Sequence, residues 1–253
     1  MKRQLLVLYY YLRSAFLKVA LLLLLMSGVE IGLFAWQLKN AVSERGEYFR
    51  SLENLLQNSG IPWVLLVAFL GILLFAALPG MRLGSHTEYT LRRLSVSNRS
   101  VYLWQLFTAI GFLLLLWGLQ IALVLGFTAA YAKAAPAGAF TGQTLLLACY
   151  RSKFLNGLLP LGEATGFLRD ILMLLAMGCG VAGISLYSRK GKGLANGRSF
   201  GLLFALAFGI RSFPRQVGNL WMDLVVMGVM FVVILLVVYY DLLSKGVDEY
   251  EEA

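Results

Sequence analysis

The chain has 253 residues, of which 59% are hydrophobic and only 14% charged. Soluble domains are about 45–50% apolar even with glycine counted, so this composition excludes one and predicts an all-α polytopic membrane protein. The net charge of +9 does not make a nucleic-acid partner, because the basic residues sit in short segments flanking apolar runs, where they set topology.

Residues 1–13 place Lys2, Arg3 and Arg13 around Leu5, Leu6, Leu8, Tyr9 and Leu12, a pattern suited to lying along a membrane surface before the chain turns in. A first span follows over residues 14–38, long enough for a hydrocarbon core of about 30 Å, which takes about 20 helical residues. It is too long for a signal peptide and lacks a small-residue cleavage site after it, so it reads as a retained helix. Glu30 lies inside it between Gly28 and Gly32, a small-xxx-small spacing that allows another helix to come close. Two readings of Glu30 stand: a substrate-path or coupling residue facing the bundle interior, or a hydrogen-bonded structural acid about two turns from the end of the span.

Residues 39–60 are polar and charge-balanced, with Phe49, Leu52, Leu55 and Leu56 at helical spacing, and read as an outside loop carrying a surface helix. Pro62 falls in the first turn of a second span, 61–79, where proline is tolerated. Next comes a polar, basic insert whose Arg82, Arg92, Arg93 and Arg99 outweigh Glu88, which makes it cytoplasmic. Ser85 and Glu88 have capping-box spacing, so a short helix is expected within the segment 84–98, with Tyr89, Leu91 and Leu94 on its apolar side.

The third span, 100–131, exceeds the length of one crossing and must tilt or project. A long outside loop over 132–164 holds a candidate amphipathic helix from Thr144 to Leu159, in which Arg151 and Lys153 oppose a full crossing. The fourth span, 166–187, carries Arg169 and Asp170 near its outer end and small residues at Gly178, Gly180, Ala182 and Gly183, which allow tight helix packing. With Glu30, this adjacent pair supplies the candidates for lining a substrate path or tying helices together. A basic, glycine-rich loop follows at 188–198, then a short fifth span at 199–213, a sixth at 220–241 and an acidic tail. Six crossings put both termini and the most basic segments on the cytoplasmic side.

Chemistry for catalysis is missing from the sequence. No GxxxxGK[ST] phosphate loop, HExxH or Gly-x-Ser-x-Gly occurs, so neither nucleotide hydrolysis nor a metalloprotease or serine triad has its parts. His86 is the only histidine and sits at the start of the polar insert. Cys149 and Cys179 have neither CxxC spacing nor a nearby histidine, which leaves them as packing residues. No catalytic residue and no metal site is expected.

The insert supplies the most specific pattern. Gly84-Ser85, then Thr90-Leu91-Arg92-Arg93-Leu94-Ser95-Val96-Ser97 and Val101, resembles the glycine, threonine-leucine, leucine-proline-valine-serine pattern before the third span of ABC-2 type (type V) ABC transporter permeases. Ser95 stands where that family commonly has proline, and the long outside insert follows span three instead of span five. The resemblance implies that 84–98 is a coupling helix docking on a separate ATP-hydrolysing subunit, which would hold the ATP and magnesium. Glu88, Arg92 and Arg93 would make charged contacts there, and Tyr89, Leu91 and Leu94 would fill its apolar part. It further implies a second permease copy or paralogue, surrounding lipids, a bacterial inner or plasma membrane, and export of an amphiphilic peptide, lipid or drug. A non-transporting scaffold or sensor that recruits a cytoplasmic partner is the alternative.

Overall fold

A computed structural model of the chain describes residues 2–43, 51–77, 98–135, 141–161, 164–189 and 220–243. Every regular element among them is a helix: α1 Lys2–Ser43, α2 Leu52–Asn58, α3 Ile61–Ala77, α4 Asn98–Ala134, α5 Thr144–Arg151, α6 Lys153–Leu158, α7 Ala164–Arg189 and α8 Leu220–Leu243. Three stretches are long and apolar enough to cross a membrane, Ala15–Val42, Arg99–Ala134 and Ala164–Ser185. The pair α2 and α3, bent by 50° at its break, makes a fourth if counted as one span. The apolar part of α8, Leu224–Tyr239, is shorter, and the fifth expected span, 199–213, lies outside the described residues. The chain is therefore a multi-pass, membrane-embedded helical protein.

The N-terminal segment corrects an expectation. No turn separates residues 2–13 from the first span, because α1 runs unbroken for 42 residues, about 63 Å at 1.5 Å per residue. The physical reason is local. Neither Gly nor Pro occurs before Gly28, and Leu, Arg and Gln all favour continuing the helix once it has started.

α4 is the spine of the bundle and packs on α1, α3 and α7, while α1 also packs on α3. α7 touches α3 as well and carries α8 on its other side, so residues 176–185 are buried throughout. Close approach of α7 to α4 depends on Gly178, where an added Cβ would lie 2.7 Å from Ile110 Cγ1 and 3.1 Å from Leu106 Cδ1. The hydroxyl of Tyr102 on α4 also donates to the Cys179 carbonyl at 3.5 Å. Gly28 and Gly32 behave differently from their sequence reading. An added Cβ at either would meet nothing within 4 Å, so the close approach they allow is not used by any described helix of this chain.

The long helices outrun α3 at one end. Gln105 Nε2 donates to the Ala76 carbonyl, which sets the last turn of α3 beside the start of α4. At the other end of α3, Gly60 sits next to Leu33 of α1, and Phe34 of α1 stacks on Phe127 of α4 with ring centroids 4.5 Å apart. Beyond that level the ends of α1 and α4 project, and α2 packs on α1, α3 and α5. Together with α5 and α6 they form a cap over one end of the bundle.

Two polar breaks shape the cap. Gly60 has φ +82°, a left-handed conformation natural only to glycine. Beside it Ser59 Oγ donates to the Leu56 carbonyl and accepts from the Ile61 amide, closing α2 and opening α3 at an angle. Leu52, Leu55 and Leu56 are buried while Asn54, Gln57 and Asn58 are exposed, so the helix expected in this loop is present and packs its apolar face on the bundle. Where one amphipathic helix was expected over 144–159, there are two, because Ser152 is extended (φ −88°, ψ 122°) and its hydroxyl accepts from the Leu155 amide. Serine competes with the helix ladder in this way through its own local hydrogen bonds.

Candidate functional site

Below the cap, three helices bring buried polar groups together. Glu30 of α1 is completely buried, as is Gln120 of α4. Gln120 Nε2 donates to Glu30 Oε2 at 3.0 Å, which ties α1 to α4 across two otherwise apolar surfaces. A buried carboxyl needs such a partner, since an unmatched polar group in an apolar interior is costly. Glu30 lies only three residues before Leu33, which marks the start of α3, so the pair sits about one turn beneath the cap.

Arg169 and Asp170 lie near the start of α7 with side chains only 8% and 9% exposed. They pair with each other and not with another helix: Arg169 Nε and Nη2 both donate to Asp170 Oδ1, at 2.9 and 2.7 Å. Neutralising each other is how two adjacent charges can share a buried site. Asp170 Oδ2 is left without a hydrogen-bond partner, as are Glu30 Oε1 and Gln120 Oε1.

A cavity of about 20 Å³ joins the two polar groups. Gln120 and Asp170 both line it, with Leu65 and Phe69 from α3, Trp117 from α4 and Met173 from α7 among its apolar walls. Gly157 and Leu158 at the end of α6 reach the same cavity. Trp117 Nε1 holds them there by donating to the Leu158 carbonyl at 2.9 Å. On the outer side of the cap, Arg151 of α5 approaches Glu53 of α2 at 3.7 Å, a partly solvated pair of small energetic weight. Nearby Cys149 is a buried free thiol, and its burial pushes the thiol above its ordinary pKa.

Glu30, Arg169 and Asp170, singled out from the sequence, thus stand at one level of the bundle around a common polar seam. Gln120, which bonds Glu30 and lines a cavity with Asp170, was missed. A signal existed, since a carboxamide in the middle of a long apolar run needs an internal partner. The other candidate residues, Glu88, Tyr89, Leu91, Arg92, Arg93 and Leu94, lie outside the described residues, as do 84–97 of the expected coupling segment. Its last residue, Asn98, is the first of α4.

Fold and site together define a helical multi-pass membrane protein with a buried polar seam beneath a helical cap. No family model matches the chain, and no curated protein and no solved structure matches it.

Proposed function

We propose that the chain is the membrane permease subunit of an ABC-2 type ABC transporter, an exporter that moves an amphiphilic substrate by alternating access. The observation that carries this reading is the pattern from Gly84 to Val101, placed between α3 and α4, where a coupling helix would join the second and third spans. Counting α3 and α8 as crossings, and adding 199–213, completes six spans with both termini cytoplasmic. The cap of α2, α5 and α6 then faces the opposite side of the membrane.

In this reading the energy enters from a separate ATPase subunit that holds ATP and magnesium. Its dimerisation moves the docked segment 84–98, and α4, which continues directly from that segment, transmits the motion to α1, α3 and α7. Because one subunit of this size encloses no large path, two permease chains, identical or paralogous, form the working unit. The polar seam of Glu30, Gln120, Arg169 and Asp170 then lies between the helices that must shift.

Co-purification from native membranes in mild detergent tests the proposal. A tagged chain is expected to bring down an ABC ATPase, and the double charge reversal Arg92→Glu and Arg93→Glu to lose it while the chain stays in the membrane. If the intact chain captures no ATPase, the transporter reading fails and a scaffold or sensor role takes its place.

A further inference from the structure

We propose that the cavity between α4 and α7 is a built site for one water molecule, held by Gln120 and Asp170. Its volume of about 20 Å³ suits a single water, for which about 10–15 Å³ suffices. The polar groups around it are of one kind. Gln120 Oε1 and Asp170 Oδ2 are buried acceptors with no hydrogen-bond partner in the protein, and both side chains line the cavity. Two acceptors are what the two O–H groups of one water satisfy, and buried waters are found where polar groups otherwise lack partners.

Other small occupants fit less well. A metal cation needs several oxygen ligands and net negative charge, but Asp170 is already neutralised by Arg169. Among the described residues no group of three or more His, Cys, Asp or Glu side chains could hold a metal ion. An apolar guest would leave both acceptors bare, although apolar side chains supply most of the wall.

The site has a structural consequence. Glu30, Gln120, the water, Asp170 and Arg169 form one hydrogen-bonded seam across α1, α4 and α7. A water can exchange partners without strain, so α7 gains a polar joint to α4 at the cap end that survives small shifts of the two helices. This inference does not depend on the permease reading.

X-ray radiolytic footprinting of the full chain in detergent tests it, because radicals formed from a bound water oxidise the side chain beside it. Met173 lines the cavity and is 6% exposed, while Met177, one turn on, is 1% exposed and does not line it. Met173 is expected to oxidise several-fold faster than Met177, and Gln120→Leu to bring it down to the Met177 rate. The inference is overturned if Met173 in the unaltered chain reacts as slowly as Met177. It is also overturned if Gln120→Leu, still folded and still protecting Met177, leaves the Met173 rate unchanged, since the radicals then come from bulk solvent. Should Gln120→Leu fail to fold, the comparison within the unaltered chain still decides.

Discussion

Removing one half of the Glu30–Gln120 pair strands the other half inside the bundle. Gln120→Leu leaves a buried carboxyl without its 3.0 Å hydrogen bond, and Glu30→Leu takes from the Gln120 carboxamide its one hydrogen-bond partner in the protein. Each single change is expected to cost about 1–3 kcal/mol, the penalty for a buried polar group that loses its partner. Replacing both removes the polar groups altogether, so the double variant is expected to cost less than the sum of the two. Measured interhelical hydrogen bonds in membranes set the scale of that difference at about 0.6–1.7 kcal/mol, or roughly a threefold to twentyfold change in the unfolding constant. Gln120 also borders the cavity, but effects of Gln120→Leu that do not involve Glu30 cancel in the cycle. Reversible unfolding in mixed micelles of rising SDS fraction, followed by circular dichroism, gives the four free energies. Strict additivity would refute the pairing as the link between α1 and α4.

The glycines offer a graded comparison, read from thermal unfolding in detergent. Gly178→Ala drives a Cβ to 2.7 Å from Ile110 Cγ1, close to the stem of a branched side chain, and is expected to cost about 1–3 kcal/mol by overpacking. Gly71→Ala meets only the tip of Leu22, which can rotate away, and the gain in helix propensity of about 1 kcal/mol offsets the contact. Equal losses at the two positions would contradict the packing of α7 on α4. Cys149 supplies a pH test outside the spans. Burial raises its thiol pKa, so at neutral pH the reactive thiolate is scarcer than for a free cysteine. Maleimide labelling is expected to be slow there and to rise only as pH climbs past the usual thiol range. Rapid labelling at neutral pH, with Cys179 replaced by serine, would show that the packing of α5 on α2 and α6 does not cover it.

Much of the architecture is legible because hydrophobic runs of spanning length have few alternative structures. Pro62 locates the start of α3, and the apolar runs around Leu113 and Ala176 become α4 and α7 nearly where their composition places them. Partnership is harder to read than length. Gly28, Gly32 and Gly178 look alike in sequence, yet only Gly178 faces another helix closely, since that depends on helix rotation about its axis. Glu30 is conspicuous as a lone carboxylate, but its partner is 90 positions away, a separation over which local pattern carries no information. Arg169 and Asp170 satisfy each other through a contact between sequence neighbours, which periodicity reasoning overlooks because adjacent helical positions point apart.

The proposed docking segment is tested most directly by placing a photo-reactive residue at Tyr89 or Leu91 and irradiating intact membranes. The permease reading predicts an adduct to an ATP-hydrolysing subunit from both positions, strongest at whichever side chain enters the groove. It also predicts loss of the adduct when Arg92 and Arg93 are reversed to glutamate. The absence of any such adduct from either position, in membranes where the same probe at Leu146 reports an intact chain, would contradict it.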